Sequence, residues 1–149
     1  MEFNFQIRKL SEKDLSLAQA LINRWQTDDG VKNYRLPPAD YLQQLLAKES
    51  FHVWVVTVEE EVVGGLTAYE IDMFDEVAKE IFLFEIGVTE TYQNKGIATA
   101  LIESLKAYCV TKGIKVIFVG TSLENAAAKR LYEKTGGDLE VIPWYTYQL

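Results

Sequence analysis

The chain has 149 residues, of which 48% are hydrophobic, and a formal net charge of -7 at pH 7. That length and apolar content predict a single domain, residues 1–149, with enough material for a buried core. The excess of carboxylates repels phosphate backbones, which argues against nucleic acid as a partner and favours cationic small molecules wherever the acids cluster.

No run approaches the ~20 apolar residues that a membrane span needs. The first residues lack the basic start and apolar core of a secretory signal. The one cysteine, Cys109, cannot form an internal disulfide. These features predict a cytoplasmic protein.

Residues 3–8 alternate apolar and polar, with Phe3, Phe5 and Ile7 on one side, and predict a strand. Ser11 reads as a helix N-cap, followed by an apolar helical face of Leu15, Ala18, Leu21, Ile22 and Trp25. A second helix is predicted after Pro37 and Pro38, with Tyr41, Leu42, Leu45 and Leu46 inward. Residues 51–58 and 62–71 read as a hairpin around a charged break at 59–61, where Gly64 and Gly65 either weaken the second strand or mark a bulge.

Residues 79–88 form the strongest strand pattern. Ile81 and Leu83 fall on one face, and Phe82, Phe84, Ile86 and Val88 on the other. A strand apolar on both faces belongs in the centre of a covered sheet. A helix is predicted from about Gly96 to Lys112, ended by Gly113. A buried strand at 114–119 follows, then a helix at 125–135 capped by Asn125, then an extended aromatic tail at 139–149 read as a last strand. The strand–helix–strand unit from 79 to 119 predicts a parallel pair through a right-handed crossover, within an otherwise antiparallel mixed sheet carrying helices on both faces.

The segment Gln93-Asn94-Lys95-Gly96-Ile97-Ala98 lies between that central strand and the following helix. A polar loop running into a helix N-terminus presents free backbone N–H groups and the positive end of the helix dipole, which suit phosphate oxygens. Gly96 permits close approach of a pyrophosphate, and Lys95 adds positive charge. No Gly-Lys-Ser/Thr follows and Gly-x-Gly-x-x-Gly is absent, so neither a P-loop nor a dinucleotide fingerprint is present.

The element order, this Gln-x-x-Gly-x-Ala pattern, and Asn125-Ala126-Ala127-Ala128 continuing through Leu131-Tyr132 to Gly136-Gly137 resemble the GNAT N-acetyltransferases over nearly the whole chain. The resemblance implies the GNAT fold, with acetyl-CoA bound between two parallel strands that splay apart near Val88 and Val119. It implies that Ile86, Gly87 and Val88 pair with the pantetheine arm and that the Val88 N–H polarises the thioester carbonyl. The N–H groups of Gln93, Asn94, Lys95, Gly96, Ile97, Ala98 and Thr99 would then hold the pyrophosphate, with Asn125 and Ala128 also against the cofactor. Tyr132 stands where many members place a tyrosine that protonates the departing thiolate; packing of its ring on the core is the alternative.

Glu85 is expected on the Ile81 and Leu83 face, one residue before the cofactor segment. A carboxylate among apolar neighbours holds its proton more tightly, as a general base acting on an ammonium substrate needs. A plain hydrogen bond within the sheet is the alternative.

Within the superfamily, residues 40–46, 62–69 and 96–102 are similar to the type I aminoglycoside 3-N-acetyltransferases. That group has an acid near Glu85, usually aspartate. The likeness implies a primary amine of a small cationic acceptor, aminoglycoside-like or polyamine-like. A protein or peptide N-acetyltransferase and a non-catalytic acetyl-CoA sensor are the other readings. Asp28 and Asp29, with Tyr34, and Asp72, Asp75 and Glu76 are expected to border the acceptor cleft, Trp25 beside them; solvated acidic loops are the alternative. His52 reads as structural, and no His/Cys/Asp cluster suggests a metal. The extended tail predicts a homodimer, since unpaired strand edges invite pairing.

Overall fold

A computed structural model describes residues 3–149. Five strands form one sheet in the order β1-β2-β3-β4-β5, with ranges β1 Gln6–Lys9, β2 Phe51–Val58, β3 Glu61–Asp72, β4 Lys79–Val88 and β5 Ile117–Phe118. The first three pairings are antiparallel and the last is parallel. Four helices accompany them: α1 Leu15–Asp28, α2 Ala39–Ala47, α3 Ile97–Lys112 and α4 Ala126–Lys134. This is the mixed sheet predicted from the sequence.

α1 and α2 pack on β2 and β3, and α3 lies across β2, β3 and β4 on the other face. Leu66, Ile81, Leu83, Ile97, Leu101 and Leu105 are buried together between the sheet and α3. Each such side chain contributes about 1.5–3 kcal/mol by leaving water. A smaller cluster of Leu10, Ala18, Leu21, Val53 and Val55 seats α1. The approach of α1 is close because β3 carries glycine there. A Cβ on Gly65 would lie 2.4 Å from the Trp54 carbonyl oxygen and 2.8 Å from Leu21 Cδ2. Gly65→Ala is therefore expected to cost about 1–3 kcal/mol in urea unfolding; a variant as stable as the parent would contradict this packing.

Several local features differ from the sequence reading. α1 begins at Leu15, because the Asp14 carboxylate accepts from the Ser11 N–H (2.8 Å) and from Arg8 (2.7 Å), closing a turn before the helix. β5 holds only two residues in the sheet. The tail at 139–149 forms no strand, because no ladder partner reaches it among the described residues.

The most consequential difference is in β4. Thr67 pairs with Glu85 but Ala68 pairs with Leu83, so Phe84 is an extra, bulged residue. One inserted residue flips every later side chain to the opposite face. Ile86 and Val88 thus join Ile81 and Leu83 against α3. Glu85 leaves that face and meets Thr67, whose hydroxyl donates to its Oε1 at 3.0 Å. A second irregularity, between Val56 and Thr57, leaves Val63 unpaired beside Gly64, in line with the bulge reading of that glycine pair.

His52, at the start of β2, is buried beneath α3, away from the cleft described below. Its Nε2 sits 2.9 Å from Glu70 Oε1 and 3.2 Å from the Tyr108 hydroxyl, while Lys9 and Lys112 add positive charge and Lys79 reaches the other Glu70 oxygen. Burial lowers the His52 pKa below 6.5, and the Glu70 hydrogen bond offsets this only in part. Burial alone would raise the Glu70 pKa, but donation from Tyr108, His52 and Lys79 outweighs it and holds the carboxyl below 4.5. Both folded values lie below the unfolded ones, so the unfolded chain binds the extra protons. Stability is expected to fall with acid, beginning near pH 6.5 through His52 and continuing below 4.5 through Glu70. Urea midpoints at pH 7.5, 5.5 and 4 that do not decline would overturn this.

Candidate active site

β4 and β5 share hydrogen-bonded register only at Ile81↔Ile117 and Phe82↔Phe118. Beyond those pairs the two chains part. The gap opens into a cleft of about 1160 Å³, walled by residues 83–88 on one side and by Val119, Gly120 and Thr121 on the other. The bulge at Phe84 marks the point of divergence.

The backbone of β4 is aimed into this opening. The Thr89 N–H donates to the Val63 carbonyl at 2.8 Å, so 89, 87 and 85 turn their backbone groups toward β3. Alternation then turns those of Ile86 and Val88 toward the gap. Behind them, the Trp25 indole N–H donates to the Gly87 carbonyl at 3.2 Å. A Cβ at 87 would lie 2.8 Å from that indole nitrogen, so a larger residue there would displace Trp25.

The far end of the cleft is the turn into α3. Asn94 (φ 60°) and Gly96 (φ 83°) are both left-handed. This conformation brings successive N–H groups to one side, as in an anion-binding nest. The first helical bond runs from the Ala100 N–H to the Gly96 carbonyl, which leaves the N–H groups of Ile97, Ala98 and Thr99 without intrahelical acceptors. The Gln93 side chain ties the turn back by donating to the Val88 carbonyl at 2.9 Å. Arg130 and Lys134 of α4 also line the cleft and supply positive charge. They are one helical turn apart, a spacing visible in the sequence but not read from it.

The other predicted residues divide in two groups. Asn125, Ala128, Tyr132, Glu85, Asp28 and Asp29 line the cleft together with the residues from 86 to 88 and with Gln93, Asn94, Gly96, Ile97, Ala98 and Thr99. Asn125 also caps α4 by accepting from the Ala128 N–H at 3.1 Å. Tyr132 is half-buried, and burial raises its pKa. Glu85 is exposed to the cleft, so the apolar surroundings expected for it are absent. Asp28 is already engaged, by Arg24 at 3.2 Å and by the Thr89 hydroxyl at 2.8 Å.

Lys95 lies outside the lining, with its ammonium over the Phe3 ring at 5.2 Å. Tyr34 is also outside it. Asp72, Asp75 and Glu76 lie around the β3–β4 turn, where Asp72 pairs with Lys79. Lys79 is six positions from Glu85 along β4, a distance of about 20 Å. No cluster of three or more metal-ligating side chains occurs among the described residues. No helix described is long and apolar enough to cross a membrane.

Residues 19–137 match the acetyltransferase (GNAT) family. The chain belongs to the GNAT family. It is therefore an N-acetyltransferase by family, and GNAT acetyltransferases use acetyl-CoA. An aminoglycoside acetyltransferase from an uncultured soil metagenomic sample, solved in complex with sisomicin, is similar with a TM-score of 0.91 and 27% identity, over 97% of this chain and 96% of that one. A second soil-metagenome aminoglycoside acetyltransferase has a TM-score of 0.88 and 30% identity, over 98% and 99%. The ribosomal protein bS18-alanine N-acetyltransferase of Escherichia coli is 34% identical over 73 residues, a match spanning 49% of this chain and 48% of that enzyme.

The residues present fit acetyl-CoA. The opening between β4 and β5 offers unpaired backbone to an amide-bearing arm, and the nest at 94–99 with Arg130 and Lys134 offers donors and charge to phosphates.

Proposed function

We propose that this GNAT enzyme transfers the acetyl group of acetyl-CoA to a primary amine of a small cationic acceptor, aminoglycoside-like or polyamine-like. The observation that carries the reading is the position of Glu85: an exposed carboxylate at the point where β4 leaves β5, lining the same cleft as Tyr132 of α4. Acetyl-CoA supplies the acetyl group as a thioester. Glu85 takes a proton from the acceptor ammonium and so frees the nitrogen lone pair for attack on the carbonyl carbon. The Val88 N–H donates to the carbonyl oxygen as negative charge develops there. The Tyr132 hydroxyl gives its proton to the sulfur as the carbon–sulfur bond breaks, and the second proton that the attacking nitrogen loses on becoming an amide restores the phenol. A phenol is protonated at neutral pH, and burial raises the pKa of this one further.

Asp29 supports a cationic acceptor, because it lines the cleft without, among the described residues, the cationic partner that Asp28 has in Arg24. The likeness to a soil-metagenome aminoglycoside acetyltransferase solved in complex with sisomicin agrees with a small-molecule amine. The likeness to the Escherichia coli enzyme favours a second reading, acetylation of a protein N-terminus, over half of the chain.

Thiol release from acetyl-CoA, measured across a panel of aminoglycosides, polyamines and N-terminal peptides, separates the two. Saturable turnover on the small polycations is the expected result. Turnover confined to peptides would install the second reading, and acetyl-CoA binding without turnover on any amine would overturn both.

A further inference from the structure

Two side chains from outside the ladder hold the backbone around Val88. The Trp25 indole N–H donates to the Gly87 carbonyl at 3.2 Å, and the Gln93 side-chain amide donates to the Val88 carbonyl at 2.9 Å. The Gly87 carbonyl and the Val88 N–H belong to one planar peptide unit, and in a trans peptide they point opposite ways. The carbonyl faces β3 and the indole, and the N–H faces the gap between β4 and β5. An indole that grips this carbonyl therefore sets the direction of an N–H on the other side of the strand.

Trp25 is itself held in place. Its side chain packs against the cluster that seats α1. Three residues on, the Asp28 carboxylate accepts from the Thr89 hydroxyl at 2.8 Å and pairs with Arg24 at 3.2 Å. Residues 25 and 28 share a helix face, and 87 and 89 share a side of β4, so α1 docks on β4 at two points. Gly87 admits the ring by lacking a Cβ. Buried indole N–H groups usually find a partner; what is particular here is which peptide supplies it.

We propose that Trp25 is a positioning residue for acetyl transfer: its indole N–H fixes the Gly87–Val88 peptide plane and strengthens the Val88 N–H as donor to the thioester oxygen. A carbonyl that accepts a hydrogen bond draws electron density toward its oxygen and leaves the attached N–H more positive, so hydrogen bonds in series reinforce one another. Direction matters as much, because a donor stabilises the developing oxyanion only from within hydrogen-bond reach of it. The inference rests on the Val88 role proposed above. It makes α1, the helix whose end brings Asp28 and Asp29 to the cleft, part of the machinery that acts on the thioester.

The test uses two variants of the full chain: Trp25→Phe, and Trp25→benzothienylalanine, which keeps the bicyclic ring and has sulfur where the indole has N–H. Circular dichroism shows that each is folded, and the second variant preserves the packing even where phenylalanine loosens it. The first readout is the infrared carbonyl stretch of acetyl-CoA labelled with 13C at the thioester carbon, bound without acceptor. Binding to the parent is expected to lower this frequency, and binding to either variant to lower it less. With the best amine of the panel, kcat is expected to fall about tenfold, short of the roughly 10²–10³-fold for deleting an oxyanion donor outright, while the amine KM and the acetyl-CoA Kd stay within about twofold. The same frequency in parent and variants would overturn the role of Trp25. A higher amine KM at unchanged kcat would also overturn it, by placing the ring against the acceptor. A parent that shows no lowered frequency would overturn the Val88 role itself, so the two failures are read separately.

Discussion

Replacing Tyr132 with phenylalanine is expected to lower kcat by about 100-fold while leaving acetyl-CoA binding unchanged. The side chain packs against the α3 side of the core and also lines the cleft, so removal of the hydroxyl alone spares the fold. What disappears is the proton that would go to the departing sulfur. Burial raises the phenol above its ordinary value of 10.0, so the acid form dominates through neutral and mildly alkaline solution. The parent enzyme should therefore show no alkaline decline below pH 10 that the phenylalanine variant removes. The measurement is kcat from pH 6 to 9.5 beside a calorimetric titration of acetyl-CoA. An unchanged kcat would take Tyr132 out of the mechanism.

Glu85→Gln is expected to reduce kcat/KM by about 10²–10³-fold at neutral pH. Glutamine keeps the length of the side chain and can still accept from the Thr67 hydroxyl, so geometry is preserved and the base is lost. The loss should shrink as pH rises, because a simple amine with a pKa of about 10.4 is increasingly unprotonated in solution and needs no base. Recovery of about tenfold per pH unit relative to the parent is the expected signature. A variant fully active at every pH would reduce Glu85 to a sheet residue hydrogen-bonded to Thr67.

Much of this site was legible because it is local. The loop at 93–98 sits between an apolar strand and an amphipathic helix, and the left-handed Gly96 follows from that position. The exception in the loop is Lys95, which backbone pattern cannot aim. β4 was misread past Leu83, because period-two alternation assumes a regular ladder and nothing in Phe82 to Glu85 announces a bulge. Asp72, Asp75 and Glu76 were placed by charge, but distance along a strand is set by register, and register places them at the far end. The tail has strand composition, yet a strand also needs a neighbour to bond with, and the neighbour need not be in the same chain.

The opening between β4 and β5 has a further consequence. Folding leaves this sheet unfinished, with the backbone groups of Ile86 and the N–H of Val88 facing the gap where no protein strand completes them. A bound molecule carrying amides would make the bonds that the chain did not make, and in that sense would become part of the ladder. Occupancy and foldedness are then linked in one equilibrium. Ligand at 100 times its Kd should add about 2.7 kcal/mol to the unfolding free energy, so the melting temperature of this protein is a property of its acetyl-CoA concentration as much as of its sequence.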